Sequence, residues 1–235
     1  MSLGFSQIGF MKQTNETLRG LYLEDLMLPD TFHGRTSPKV RNPKVWEEIE
    51  SVVTGLRDAS PTGDTWVWSD NHFGHKNIIK YADGYRPYES VEAMNAAMIA
   101  NCLAVVKSGD TLIFGGDVAF MNVEQMNEIL CQLPGYKIQI VGNHDMDRSG
   151  NLTKFHMDER HLCLVRDIPD TDFQLLFTHY PMDKVPPNCV NIHGHIHQNL
   201  AHDHNINICV EHTGCAPINI KEIEARAIQY LTKEK

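Results

Sequence analysis

The chain has 235 residues, of which 42% are hydrophobic and 22% charged, a composition typical of a globular protein with a sizeable core. Its formal net charge of −9 argues against broad binding to long nucleic acid, because such binding depends on neutralising phosphates. No apolar run approaches the roughly 20 residues of a membrane span, and the N-terminus lacks the pattern of a secretory signal. Six scattered cysteines without a CxxC pair predict reduced thiols and a cytoplasmic location.

The chain is predicted to consist of an N-terminal extension over residues 1–62, packed on a main domain over 63–235. Prolines at 29, 38 and 43 disfavour long regular elements near the start. Apolar residues at helical spacing then predict a helix over 43–56. The polar run ASPTGD at 59–64 predicts the loop between the two parts.

The main domain begins with a short apolar strand and continues with alternating helices and strands. The pattern predicts helices over 91–106, after a Ser90 cap, and over 123–133, before Pro134 and Gly135. Strands are predicted at 65–68, 111–117, 136–141, 161–166, 173–178, 189–193, 206–211 and 225–231. Strand–helix alternation followed by a mainly strand half predicts an α/β sandwich of two sheets flanked by helices.

Five polar clusters directly follow apolar runs that have the character of buried strands. They are Asp70-Asn71-His72, Gly116-Asp117, Gly142-Asn143-His144-Asp145, Thr178-His179 and His193-Gly194-His195-Ile196-His197. Strand ends that converge on one edge of a sandwich would bring these side chains together. Their Asp, Asn and His ligands are too many for one metal ion and suit two, an arrangement that cleaves phosphate esters.

The spacing within the clusters favours shared metal coordination. Asp70 and His72 would point to the same side of a chain that is still extended, and His195 and His197 have the same spacing. Asp117 follows two glycines, and its two carboxylate oxygens could bridge two cations. Mixed imidazole and oxygen ligands suit Mn²⁺, Zn²⁺, Fe or Ni²⁺ better than Ca²⁺.

The order Asp-x-His, Gly-Asp, Gly-Asn-His-Asp, His, Gly-His-x-His resembles the calcineurin-like metallophosphoesterases over roughly residues 65–212. The run SDNHFGHKNII at 69–79 is similar to a small bacterial and bacteriophage branch of that family. That branch usually has Asp-Thr-His here, so Asn71 departs from the pattern at a non-ligand position. The resemblance implies a four-layer αββα fold.

The resemblance also implies a role for each cluster. It places one metal on Asp70, His72 and His197, the other on Asn143, His179 and His195, and Asp117 between them. A hydroxide shared by the metals would attack phosphorus directly, and His144 would protonate the leaving oxygen or stabilise the transition state. The implied cofactors are two divalent transition-metal ions, with Mn²⁺ expected first and Zn²⁺, Fe or Ni²⁺ as alternatives.

Two departures from the serine/threonine phosphatases of the superfamily narrow the expected substrate. Those enzymes have an arginine before Gly-Asn-His, where this chain has Val141, and an Asp-Arg-Gly that this chain lacks after Asp117. Both losses argue against a phosphoprotein phosphatase, and they leave the group that orients His144 open, with Asp145 only its neighbour. The expected substrate is a small or nucleotide-like phosphodiester or phosphomonoester.

Two other functions fit the same sequence. One is a nuclease acting on short or single-stranded nucleic acid, although the acidic charge counts against it. The other is a non-catalytic interaction module that retains the fold. The complete ligand set and His144 count against a module, because such modules tend to lose ligands.

Several residues beside the clusters are candidate substrate contacts. His75 and Asn77, with Lys76 between them, could bind the substrate phosphate or could form a solvated helix start. Arg86 and Arg148 could bind phosphate, although lone arginines near motifs are more often surface residues. His193 could support a ligand from behind or simply end a strand, and the first role is preferred.

Overall fold

The structure is a computed structural model that describes residues 20–21, 62–147 and 149–233. Two sheets form its centre, with four helices within residues 62–233. The first sheet contains β1 (Thr65–Trp68), β2 (Thr111–Phe114), β3 (Tyr136–Ile140), β4 (Glu159–His161) and β9 (Ile218–Asn219). The second contains β5 (Cys163–Asp167), β6 (Gln174–Thr178), β7 (Cys189–His193) and β8 (Asn205–Asn207). The helices are α1 (Ile78–Tyr81), α2 (Val91–Val105), α3 (Val123–Gln132) and α4 (Ile220–Lys233).

Both sheets are mixed, and their parallel strands determine where the loops meet. The first sheet has the order β4-β3-β2-β1-β9, with β9 antiparallel to β1 and the other pairs parallel. The second has the order β5-β6-β7-β8, with only β5 and β6 antiparallel. The mixed α/β class with two sheets flanked by helices is therefore confirmed.

Alternate residues of the central strands pack against different layers. Trp68, Leu112 and Phe114 pack in one core cluster with residues of α2 and α3. Val67 and Ile113, one residue away, join the cluster between the two sheets. This alternation follows from the period of two along a strand and buries both faces of the first sheet.

The outer face of the second sheet is covered by loops in the part of the chain that the structure describes. Leu176 and Cys189 of this sheet pack with Met146, Leu152 and Met182, all from connecting segments. Helix α4 instead contributes to the cluster between the sheets. The fourth, helical layer of the αββα arrangement is thus not formed by the described helices.

The last predicted strand, 225–231, is wrong, because these residues belong to α4. The buried positions Ile220, Ile223, Ala227 and Leu231 are spaced by three and four residues, which is the period of a helix. The predicted strand at 161–166 is instead split. β4 ends in the first sheet at His161, and β5 begins in the second at Cys163.

The remaining elements lie close to their predicted positions. Ser90 caps α2, with its hydroxyl accepting from the Ala93 amide at 3.1 Å, as predicted. The predicted strands 111–117 and 206–211 are shorter, ending at Phe114 and Asn207.

The predicted helix over 43–56 lies outside the described residues, as does nearly all of the N-terminal extension, so both stay predictions. No helix within the described ranges combines the length and the apolar character needed to cross a bilayer.

All six cysteines carry free thiols, and only Cys131 is exposed. Burial raises the pKa of Cys102 to about 12 and that of Cys189 to about 11, which keeps both as unreactive thiols at neutral pH. We expect one thiol per native chain to react rapidly with a chromogenic disulfide reagent, and the other five only after denaturation. Cys131→Ser should remove the fast phase, whereas a fast phase that survives this substitution would contradict the buried positions of the others.

Candidate metal centre

The polar clusters lie in loops that follow β1, β2, β3, β6 and β7. Backbone hydrogen bonds join these loops. The Asp70 amide donates to Gly116 O at 3.0 Å, and the Gly194 amide donates to His179 O at 2.9 Å. Parallel neighbouring strands bring their carboxyl ends to one edge of a sheet, which is why side chains far apart in sequence meet here.

Six side chains form two groups that could each hold a metal ion. The first group is Asp70, His72 and His197, and the second is Asp117, His179 and His195. Within each group, one ligand atom from every residue lies within 4.8 Å of the others. The two groups contain six of the seven ligands that the resemblance implied.

Asp117 lies within reach of both groups. Its Oδ2 is 3.5 Å from His179 Nε2 in the second group and 3.9 Å from His72 Nε2 in the first. The seventh implied ligand, Asn143, belongs beside the second group, because its Oδ1 is 3.1 Å from His179 Nε2. All seven side chains therefore meet at one site.

The backbone at these ligands is not extended, so the geometric reason given for their spacing is wrong. Asp70 and His72 have φ values of 55° and 51°, and His195 and His197 have 68° and 50°. The backbone of Asp117 is also in the left-handed region, with a φ of 53°. Residues other than glycine rarely adopt this conformation, and such strain concentrates at functional sites. The structure accordingly divides His195 and His197 between the two groups.

Two glycines are required by space rather than by a turn. A Cβ on Gly194 would overlap the Asp70 carboxylate and the Ser69 hydroxyl. A Cβ on Gly142 would overlap Asp117 Oδ1, although the φ of Gly142 is not positive. Gly142 is therefore needed for the close packing between two loops.

The two oxygens of the buried Asp70 carboxylate have different surroundings. Oδ2 accepts from the Ser69 hydroxyl at 2.6 Å, from the His195 amide at 2.9 Å and from the Cys209 thiol at 3.2 Å. Oδ1 is buried and accepts from no donor among the described residues. A buried carboxylate oxygen without a donor is costly unless a cation satisfies it, so this atom fits a metal ligand.

His72 fits a metal ligand for the same reason. Both ring nitrogens are buried and have no hydrogen-bond partner in the described parts of the chain. Burial lowers the pKa of His72 to about 3, against the opposing effect of Asp117 and Asp70. The imidazole is therefore neutral at physiological pH and can offer a lone pair to a metal.

The second group has a fixed imidazole and a strongly ionised carboxylate. His179 Nδ1 lies 2.9 Å from Gly115 O, which leaves Nε2 directed to the group. Burial lowers the pKa of His179, but the Asp117 charge and hydrogen bond outweigh burial and raise the pKa to about 10. The pKa of Asp117 lies well below its usual value because the nearby histidines outweigh the effect of burial. Both pKa shifts show that the second group favours a positive charge beside the Asp117 carboxylate.

A buried ion pair behind the first group was missed from the sequence. Glu211 Oε1 lies 3.0 Å from His197 Nδ1 and accepts from Arg86 Nε at 2.8 Å. Arg86 is 1% exposed and also donates to the backbone oxygens of Asp70 and Asn71. Arg86 therefore positions metal-ligand candidates instead of binding phosphate at the surface, which corrects both readings of this residue. A carboxylate behind a ligand histidine fixes its tautomer and orientation.

Asp145 is also a positioning residue. Its carboxylate accepts from the amides of Asp117, Val118 and Gly142 at 2.8–2.9 Å and does not contact the His144 ring. Burial, followed by the charge of Asp117, raises the pKa of Asp145. Asp145 therefore holds the loops after β2 and β3 together, and it does not orient His144.

His144 lies at the mouth of the site. Its side chain is 45% exposed, and Nε2 is 4.0 Å from Asp117 Oδ2. The His144 backbone amide donates to Asp117 Oδ1 at 2.8 Å, and its ring contacts Phe120 with a centroid distance of 4.6 Å. These contacts, rather than a second carboxylate on the ring, hold His144.

The other substrate-contact candidates have different outcomes. His75 lines a cavity of about 480 Å³ together with His72, His144 and His197. Asn77 is exposed at the start of α1 and does not line this cavity, so its predicted substrate contact has no support in the geometry. Arg148 lies outside the described residues. His193 is buried behind the site, with Nδ1 2.8 Å from Gly194 O.

The fold and the site define a mixed α/β protein with two groups of Asp and His that could hold metal ions at converging strand ends. The chain is 32% identical over 168 residues to the uncharacterized protein MJ1445 of Methanocaldococcus jannaschii, covering 66% of this chain and 86% of MJ1445. The chain therefore belongs to the same family as MJ1445. No model of a known protein family matches the chain.

A solved structure supports the fold of the main domain. The crystal structure of a protein of unknown function, AQ665 from Aquifex aeolicus, matches with a TM-score of 0.56 and 29% sequence identity. The match covers 69% of this chain and 98% of AQ665.

Proposed function

We propose that this protein is a phosphoesterase of the calcineurin-like type that depends on two divalent metal ions. The observation that carries the proposal is the pair of Asp/His groups with Asp117 within reach of both. The unpartnered Asp70 Oδ1 and His72 nitrogens support it, because these buried atoms suit a metal better than any protein donor. Mn²⁺ is the first candidate metal, with Zn²⁺, Fe and Ni²⁺ as alternatives.

The proposed fold is the metallophosphoesterase sandwich of the small bacterial and bacteriophage branch. Its support is the order of ligand-bearing loops, one after each of β1, β2, β3, β6 and β7. The proposed substrate is a small or nucleotide-like phosphodiester or phosphomonoester, and a cytoplasmic location remains part of the proposal.

Two metal ions bound here would lower the pKa of a water molecule and neutralise charge on the substrate phosphate. The protein's own residues would provide the geometry for that chemistry. Asp70 and Asp117 supply negative charge to hold cations, while Glu211 and Gly115 fix the rings of His197 and His179. Water would add to phosphorus and lose a proton to solvent as the bond from phosphorus to the leaving oxygen breaks, and the same solvent would return a proton to His144 after the reaction. His144, exposed at the mouth, would give its ring proton to that oxygen.

His144→Ala is expected to lower kcat on a phosphodiester by about 10²–10⁴-fold, the range for losing a general acid. Because the side chain is 45% exposed, the substitution should change the free energy of unfolding and the bound metal only slightly. Steady-state kinetics and metal analysis of the purified variant would check this. His202→Ala is a control that removes a histidine away from the site, and an equal loss in both variants would contradict the role of His144.

The proposed activity is tested with metal-stripped protein. Hydrolysis of bis-p-nitrophenyl phosphate and p-nitrophenyl phosphate is measured after adding Mn²⁺, Ni²⁺, Zn²⁺ or Mg²⁺ in turn. Activity restored by a transition metal supports the two-metal hydrolase, and the diester-to-monoester ratio indicates its substrate class. Protein that neither binds these metals nor hydrolyses either compound would contradict the proposal and favour the interaction module. Cleavage of oligonucleotides in preference to the chromogenic diester would favour the nuclease.

A further inference from the structure

We propose that the cavity beside the metal groups is a nucleobase subsite, so that the substrate is a nucleoside ester with a single phosphate. This inference rests on the proposed function, because it places the substrate phosphate at the metal groups. It goes further because it assigns the cavity to the part of the substrate that lies beyond the metal groups.

The cavity adjoins the first metal group directly. His72 and His197 of that group form part of its lining, together with His144. Its volume of about 480 Å³ is larger than a phosphate alone requires and lies in the range for small-molecule sites. A phosphoester bound at the metals would therefore extend one of its organic groups into this space.

Exposed aromatic rings form part of the lining of the cavity. Phe120 is 41% exposed and Tyr81 is 68% exposed, which is unusual for large aromatic side chains. The rings of Phe120 and His75 stack with a centroid distance of 4.2 Å and an angle of 16°. The Phe120 ring also lies 5.4 Å from the His72 ring and 4.6 Å from the His144 ring between centroids, so these histidines fix its orientation. Its exposed part can contact a planar ligand in the cavity. Bases stack on aromatic side chains with little dependence on sequence.

The lining of the cavity disfavours a second phosphate. Among the described residues that line it, none is Lys or Arg. A second phosphate would meet imidazoles but no permanently charged side chain in this space, which disfavours nucleoside diphosphates and triphosphates. The remainder of the ligand is expected to be uncharged.

Two amide side chains complete the lining on a loop that also holds a metal-ligand candidate. Gln198 and Asn199 line the cavity directly after His197. The loop is tied down because Asn207 Nδ2 donates to His197 O at 2.7 Å and to Asn199 O at 3.0 Å. Gln198 Nε2 donates to Tyr81 O at 3.5 Å and Asn199 Nδ2 donates to Ile196 O at 2.8 Å, so both amides are held in place. Their amide oxygens can accept from the amino group of a base, whereas an alkyl group has no hydrogen to donate to them. The combination of flat rings and amides therefore favours a nucleobase over an aliphatic group.

The test compares ligands that differ in one part at a time. Mn²⁺-loaded full-length protein is titrated calorimetrically with inorganic phosphate, ribose 5-phosphate, adenosine 5′-monophosphate, adenosine 5′-diphosphate and octyl phosphate. We expect the monophosphate to bind about tenfold more tightly than ribose 5-phosphate, the size expected of one stacked base. The diphosphate should bind no more tightly than the monophosphate.

Phe120→Leu tests the stacking surface, because it removes the ring and keeps an apolar side chain. We expect the affinity ratio of adenosine 5′-monophosphate to ribose 5-phosphate to fall close to one in this variant. Tyr230→Leu is the matched control, since Tyr230 is an exposed aromatic residue of α4 away from the cavity. That variant should keep the wild-type ratio.

The outcomes separate this inference from the proposed function. If phosphate does not bind the metal-loaded protein and no phosphoester is hydrolysed, both are overturned. If phosphate and ribose 5-phosphate bind but the nucleotide is no tighter, the base subsite alone is overturned. Octyl phosphate that binds as tightly as the nucleotide would overturn it in favour of an apolar substituent. A nucleotide preference that persists in Phe120→Leu would overturn the assignment to this ring.

Discussion

Asp117→Asn is expected to remove metal from the second group, weaken metal binding at the first and reduce turnover by about 10³-fold or more. The reason is the position of its Oδ2, within 4 Å of both His179 Nε2 and His72 Nε2. An amide has no negative charge, and at the proposed two-metal site the loss of charge would remove several kcal/mol of transition-state stabilisation. The substitution keeps the size of the side chain, so the packing around it should survive.

Metal content after gel filtration and kcat on bis-p-nitrophenyl phosphate would check this expectation. Asp172→Asn is the matched control, because it makes the same chemical change on an exposed residue between β5 and β6. Far-ultraviolet circular dichroism of both variants should match that of the original protein. Two metal ions per chain and turnover within twofold of the original in Asp117→Asn would refute the shared role of this carboxylate.

Arg86→Met is expected to destabilise the protein by about 3–5 kcal/mol, the cost of leaving a buried charge without its partner. The side chains of Arg86 and Glu211 are both fully buried, and the guanidinium also satisfies Asp70 O and Asn71 O. Loss of the guanidinium leaves the Glu211 carboxylate with only His197 among its described ionic partners. For a domain of this size, such a loss lowers Tm by roughly 10 °C.

Urea denaturation at fixed pH would measure the change in the free energy of unfolding. Arg226→Met, on the exposed side of α4, is the control and should change it by less than about 0.5 kcal/mol. Adding Glu211→Gln to Arg86→Met should recover part of the lost stability, because the uncompensated charge is removed. If Arg86→Met were as stable as its control, the buried pair would have no structural role.

The candidate ligands could be read from the sequence because the chemistry and the position of each cluster are local properties. Asp70, Asp117 and Asn143 each follow a short apolar strand, and parallel strands end at one edge of a sheet. Their meeting point could therefore be predicted without knowing the complete topology. The sequence pattern could not predict the backbone conformation, because the left-handed φ values at Asp70 and His72 depend on contacts between loops.

The C-terminal element was misread because a short apolar stretch fits both a strand and a helix. Taken alone, residues 225–231 have a pattern that predicts a strand. Over the longer segment, buried residues recur every three or four positions, which is the period of a helix. These residues are Ile220, Ile223, Ala227 and Leu231, and they pack into the cluster between the sheets. Tertiary burial of that face, and not local propensity, determines the outcome.

The sequence by itself indicated the α/β class and the seven candidate ligands, because strand pattern and ligand chemistry are encoded in short stretches, whereas the role expected of His144 came from the resemblance to a family. Only the tertiary structure decided which groups support these ligands. Arg86 and Glu211 are 125 residues apart, and Asp145 accepts from Val118, 27 residues away. No local pattern pairs such residues, because their contact depends on how β1, β2 and β3 bring their loops together.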